Sequence, residues 1–202
     1  MTNEKKFSDA GANAHLNERV DRAANAERYW REAYASGYGN QMESAAELGR
    51  CGVIAEIIAR TRSEGAILDA GCGTGILPRL IDLNRFRYVG VDISERALEL
   101  ARAQSPGGAV FVAADLRSAD LGQRFDMIVL NEIAYYLEPP ELGHLISRHS
   151  AKGALLIYSI FAFDSAATIM RYLHGLGKNI RTVDVRNNEA KIVWHVGWFE
   201  LC

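Results

Sequence analysis

The chain predicts an α/β fold: a doubly wound, mostly parallel seven-stranded sheet with helices on both faces, the last strand antiparallel, and extra N-terminal helices. Three observations point there. Short apolar runs alternate with segments of helical periodicity over residues 66–176, which implies parallel strands joined by right-handed crossovers. A glycine-rich turn, Gly71-Cys72-Gly73-Thr74-Gly75, follows the first apolar run. Two β-rich segments close the chain around Asn187-Asn188, residues suited to a hairpin that would add an antiparallel edge.

Residues 1–12 are polar and small, the composition of a terminus that packing does not anchor. Residues 14–35 read as a helix, because Leu16, Val20, Ala23, Ala24 and Tyr29 recur near helical spacing among charges. Gly37 and Gly39 break it. A second helix over 44–61 puts Ala45, Leu48, Val53, Ile54, Ile57 and Ile58 on its buried side. Strands follow at 66–70, 88–91, 109–113, 126–130 and 154–161. Helices fall at 75–83, 94–103, 140–149 and 164–176, with Ser94 as an N-cap. The final strands cover 179–186 and 190–199. This organisation divides into an N-terminal cap or lid segment, 1–40, and a sheet domain, 41–202.

Bulk properties narrow the class. A chain of 202 residues, 49% hydrophobic and 24% charged, suits one globular domain with a substantial core. The formal net charge of -2 offers no basic field, so no nucleic-acid partner is expected. Cys51, Cys72 and Cys202 are far apart and lack metal-ligand spacing, so neither a metal site nor a disulfide framework is indicated. Their odd number suits a reducing cytoplasm. No apolar stretch approaches the roughly 20 residues that span a bilayer, and residues 1–9 have no apolar signal core. A cytoplasmic protein without a membrane partner is expected.

Ligands of such sheets bind beyond the carboxyl ends of the strands, so the residues there carry the chemistry. After the first strand comes Asp69 and then the turn with Gly71, Cys72, Gly73 and Gly75. The glycines permit a tight turn and close backbone approach to a ligand. Their Gly-x-Gly-x-Gly spacing differs from the Gly-x-Gly-x-x-Gly that cradles a dinucleotide pyrophosphate. Asp69 would repel a pyrophosphate and attract the cationic amino group of an amino-acid moiety. Asp92 ends the second strand roughly 20 residues on, where a carboxylate can accept from both hydroxyls of a ribose. Ile93 beside it could pack on an adenine. After the third strand, Asp115 could accept from an exocyclic amine while the Leu116 amide donates to a ring nitrogen. Asn131, Glu132 and Tyr135 follow the fourth strand, and Tyr136 reads as a core tyrosine.

In this order the segments resemble the class I S-adenosylmethionine (SAM)-dependent methyltransferases over about residues 66–161, half the chain. The resemblance implies a Rossmann-like catalytic domain with SAM as cofactor and S-adenosylhomocysteine (SAH) as product. It implies that Asp69, Gly71, Gly73 and Gly75 hold the methionine part, with Cys72 in the same loop. It implies Asp92 and Ile93 at the ribose and adenine, Asp115 and Leu116 at the adenine, and Asn131 near the transferred methyl. Asn131 to Leu137 is similar to the corresponding stretch of the nodulation protein S type of N-methyltransferase, whose acceptors are small and polar. No Asn-Pro-Pro-Tyr motif follows strand four, a departure from enzymes that methylate exocyclic amines of DNA bases or protein glutamine.

The expected function is therefore methylation of a small-molecule acceptor at nitrogen or oxygen, with a homodimer left open. Methylation of RNA or protein, and a non-catalytic SAM-binding regulator, are the alternatives. A nicotinamide-dependent oxidoreductase needs a different glycine spacing. Transfer from a sulfonium is an in-line displacement that needs alignment and dry surroundings, and a base helps some acceptors. Glu132 is the best-placed base, with Tyr135 and Asn131 completing the catalytic set; His144, His149 and His195 are the other candidates. Tyr29, Trp30, Tyr34 and Tyr38 form an aromatic segment flanked by glycines and are expected to line or close the acceptor pocket.

Overall fold

The computed structural model describes residues 26–37, 45–187 and 191–202. Helix α1 (Ala26–Ala35) and helix α2 (Ala45–Thr61) precede the sheet. The remaining elements are β1 (Gly65–Ala70), β2 (Phe86–Asp92), α3 (Glu95–Gln104), β3 (Ala109–Ala113), β4 (Phe125–Asn131), α4 (Pro139–His149), β5 (Ser150–Phe161), α5 (Ala166–His174), β6 (Gly177–Asn187) and β7 (Ile192–Leu201). The first half of the helix expected over 14–35, and Ser44, Tyr38, Gly39, Asn188 and Ala190, lie outside the described residues.

The seven strands form one sheet in the order β3-β2-β1-β4-β5-β7-β6. Pairs from β3 through β5 are parallel, and β7 runs antiparallel to both β5 and β6. The last strand is thus the reversed one, as expected, but it inserts between β5 and β6 and leaves β6 at the edge. The order changes direction at β1, and a crevice opens beyond the carboxyl ends of β1, β2 and β4.

Strand alternation divides the core. Ile67, Met127, Val129 and Ile157 face α2 and pack with Ile54, Ile57 and Ile58. Leu68, Ile128, Leu130 and Leu156 face the other way and pack with Leu142, Leu145, Ile146 and Leu173 of α4 and α5. Ser94 caps α3, its hydroxyl accepting from the Ala97 amide.

Two expectations fail. Residues 75–83 do not form an α-helix but a single 3-10 turn, Leu77–Arg79. Gly71, Gly73 and Gly75 take left-handed backbone, Pro78 has no N–H, and the Asp82 carbonyl accepts from the amides of Arg85 and Phe86, so too few residues remain. Leu48 lies on the outer side of α2, 38% exposed, while Arg50 is 1% exposed. No helix among the described residues is long and apolar enough to cross a membrane.

Candidate functional site

A cavity of about 300 Å³ lies beyond the carboxyl ends of β1, β2 and β4 and reaches α1, α2 and the start of β7. Asp69 sits at its floor, 3% exposed, with Oδ2 accepting the Tyr88 hydroxyl at 2.7 Å. Its Oδ1 is buried and has no hydrogen-bond partner among the described residues. Burial pushes the Asp69 pKa up to about 7; the Tyr88 bond pulls it down and nearby Asp92 raises it. A buried carboxylate oxygen without a donor is costly, and a cationic N–H would satisfy it.

The loop after β1 turns sharply. The Gly71 and Cys72 amides both donate to the Val91 carbonyl, at 2.8 and 3.0 Å. Gly71 has φ 74°, and a Cβ there would lie 2.9 Å from Ile133. At Gly73, φ is 54° and a Cβ would meet the Tyr34 hydroxyl at 2.8 Å. The bare backbone therefore forms a cradle beneath α1. The Cys72 thiol packs against Gly90, where a Cβ would be 2.7 Å from its sulfur.

Asp92 is 9% exposed, with Oδ2 accepting from the Gly73 amide and Oδ1 from the Ser94 amide, each at 2.9 Å. A carboxylate has roughly four acceptor positions, so these amides fix it without exhausting it. Burial raises its pKa against these bonds. Ile93 and Leu116 also line the cavity. Asp115 does so while holding Arg117 by a fork, Nε at 2.9 Å and Nη2 at 2.6 Å, which keeps its carboxyl below the usual range.

Beyond β4, the Asn131 Oδ1 accepts from Arg50 Nε at 2.8 Å, and its Nδ2 points at the Cys51 sulfur at 3.6 Å. Arg50 also pairs with Glu47 and lies 5.3 Å over the Trp194 ring. Burial alone would lower the Arg50 pKa, but Glu132, Cys51 and Glu47 outweigh it and raise the value. Glu132 has a left-handed backbone, φ 60°, and its oxygens accept from Tyr135 and Ser159, each at 3.0 Å. Such a conformation in a residue with a Cβ is sparsely populated and clusters at functional sites.

Trp30 and Tyr34 line the cavity, and Tyr29 stacks edge-on against Trp30 at 5.2 Å without reaching it. Tyr38 falls outside the described residues. Tyr136 is half-buried cavity wall, 6.0 Å from Trp30, and not the core tyrosine expected. The histidines stand elsewhere. His149 binds the Ala119 carbonyl at 3.1 Å, His195 binds Asp184 at 2.8 Å, and His144 is exposed on α4. No group of His, Cys, Asp and Glu among the described residues could hold a metal ion.

A family model described as a methyltransferase domain matches residues 40–193. The chain belongs to this methyltransferase family. The chain is 35% identical over 75 residues to a malonyl-[acyl-carrier protein] O-methyltransferase of Acetivibrio thermocellus, covering 35% of this chain and 26% of that protein. It spans between 26% and 38% of the length of the first four curated relatives it matches. Its fold is that of the Burkholderia thailandensis 1,6-didemethyltoxoflavin-N1-methyltransferase, with TM-score 0.71 and 19% identity over 91% of this chain and 90% of that one. The N-methyltransferase NodS of Bradyrhizobium japonicum WM9, solved with SAH, gives TM-score 0.68 and 18% identity over 79% and 89%.

Several residues of the cavity wall are not singled out by the sequence: Arg50, Glu47, Arg117, Phe161, Ile192 and Trp194. Arg50 had a signal. It precedes Ile54, Ile57 and Ile58 by four, seven and eight residues, so a charge occupies the apolar stripe of α2. Trp194 had none, because its place depends on β7 inserting beside β5.

Proposed function

We propose that the protein is a SAM-dependent methyltransferase acting on a small-molecule acceptor. The observation that carries this reading is the orphaned, buried Asp69 oxygen beside a glycine cradle, with Asp92 one strand away. These residues fit the donor. SAM's amino-acid end carries an ammonium and a carboxylate, which Asp69 and the buried Arg50 match in sign. Asp92 has acceptor positions for ribose hydroxyls, and Ile93, Asp115 and Leu116 surround the place left for adenine. Of this set, Gly71 and Gly73 keep the floor open, and Cys72 contributes backbone.

When bound, SAM supplies an electrophilic methyl group on a sulfonium. The chain's residues then need to align the acceptor, exclude water and take a proton. Glu132 can accept that proton, with Tyr135 orienting it and Asn131 held rigid by Arg50. Helix α1 acts as a lid over the site, since Trp30 and Tyr34 cover both the loop and the acceptor side. The three cysteines are free thiols, which supports a cytoplasmic setting.

Calorimetry with SAH, SAM and NAD tests the donor site, and mass spectrometry of an acceptor panel tests transfer. Binding of SAH but not NAD is expected. No heat with SAH defeats the reading, and SAH binding with no product across the panel favours a regulator.

A further inference from the structure

Resting on this methyltransferase reading, we infer that Tyr88 is a positioning residue of the donor site: from outside the cavity wall, its hydroxyl leaves one oxygen of Asp69 for the donor's ammonium and holds the carboxyl in its charged form.

The geometry follows from the pairing of β1 with β2. Asp69 stands opposite Gly90, which has no side chain to offer it, and Ile67 stands opposite Tyr88. Residues two apart on a strand share a face, so Tyr88 is the diagonal neighbour of Asp69. Its hydroxyl donates to Oδ2 at 2.7 Å, and its ring, 1% exposed, sits edge-on to Phe111 at 5.8 Å. A hydroxyl buried in the layer of Ile67, Met127 and Val129 is costly unless it is bonded, and Asp69 supplies the acceptor. With Oδ2 engaged, Oδ1 is left buried with no hydrogen-bond partner among the described residues. A cationic N–H of the donor would complete the carboxylate.

Charge gives the bond its importance. The titratable and charged groups around Asp69 are Tyr88 and Asp92 on β2, Cys72 in the glycine loop, Cys51, Glu47 and Arg50 on α2, and Glu132 after β4. Burial and the Asp92 carboxylate both favour the neutral acid, and the Tyr88 bond opposes them. Burial also holds the Tyr88 hydroxyl protonated well into alkaline solution, so it stays a donor. A donated O–H is worth more to an ionised carboxylate than to a neutral acid. Without it, Asp69 would meet the ammonium as a protonated acid at neutral pH, and the charge-assisted bond would be lost. Tyr88 acts through Asp69 and touches neither donor nor acceptor.

Calorimetric titration with SAH at pH 6 and pH 9 tests this on the full chain, comparing Tyr88→Phe with the unaltered protein. The ratio of the two affinities at one pH cancels the ligand's own titration. A hydrogen bond to a charged group moves a titration midpoint by roughly one to two pH units, so the variant should bind SAH about 10–100-fold weaker at pH 6 and within about threefold at pH 9. An equal loss at both pH values marks a packing role and overturns the proposal, as does no loss at pH 6. Should Tyr88→Phe fail to fold, replacing Tyr88 with 3-fluorotyrosine keeps the ring and strengthens the donor. Affinity at pH 6 relative to pH 9 should then rise, and a fall or no change overturns the proposal. Unaltered protein that binds no SAH at either pH overturns the donor reading itself, a result distinct from all of these.

Discussion

Asp69 makes the proposed donor site pH-dependent in a direction that its burial sets. The carboxyl is 3% exposed and its pKa is pushed up to about 7 by burial. In the unfolded chain an aspartate titrates near 3.9. The folded protein therefore holds a proton here between about pH 4 and pH 7 that the unfolded chain has lost. Below pH 4 the group carries no penalty. As pH rises to 7 it withdraws stability, reaching about 4 kcal/mol from a shift of about three units at ~1.4 kcal/mol each. An ammonium binds the ionised form only. SAH affinity should accordingly rise about tenfold per pH unit up to pH 7 and flatten above it. Calorimetry at pH 5.5, 6.5, 7.5 and 8.5, in buffers of different ionisation enthalpy, reads both the slope and the proton released. Asp69→Asn removes the charge at every pH. It should abolish the slope, weaken SAH by about 10–100-fold at pH 8 through one lost charge-assisted bond, and raise the free protein's Tm. A flat affinity between pH 5.5 and 8 in the unaltered protein would refute the reasoning.

Three substitutions probe the rest of the site. Arg50→Met strands Asn131 and the Glu47 carboxylate, whose side chain is 23% exposed, so a loss near the low end of the buried-pair range, about 3 kcal/mol, is expected. That corresponds to roughly 6–12 °C in Tm by scanning calorimetry; Arg50→Lys should recover part of the Tm but little of the SAH affinity, because the fork is lost. Gly71→Ala forces a Cβ into left-handed backbone, at about 1–2 kcal/mol, and to within 2.9 Å of Ile133; SAH affinity should fall at least tenfold, and adding Ile133→Val should restore part of it. Tyr34→Ala removes the ring above Gly73, so stopped-flow displacement should show SAH leaving about tenfold faster if α1 is a lid; an unchanged off-rate argues that α1 is a fixed wall.

Most of the sheet was legible because its signals are local. Apolar runs such as 126–130 lie within the observed β4, and Ser94 caps α3 as its position suggested. The expected helix over 75–83 failed for the opposite reason: periodicity survived in Ile76, Leu77, Leu80 and Ile81, but Pro78 and the turn around Asp82 removed the hydrogen bonds it needed. Leu48 left its expected side because hydropathy assigns a face by residue type, while Glu47, Asn131 and Trp194 supply partners that make a buried Arg50 guanidinium tolerable on the inner side.

By itself the sequence determined the strand and helix alternation and the carboxylates and glycines at the strand ends, from which the proposed donor site is read, because each depends on a few adjacent residues. Only the tertiary structure decided what surrounds the acceptor. Arg50 reaches Asn131 across 81 positions of chain, and Trp194 faces the cavity because β7 pairs with β5. Those contacts arise when distant elements pack together, and residue spacing carries no record of them.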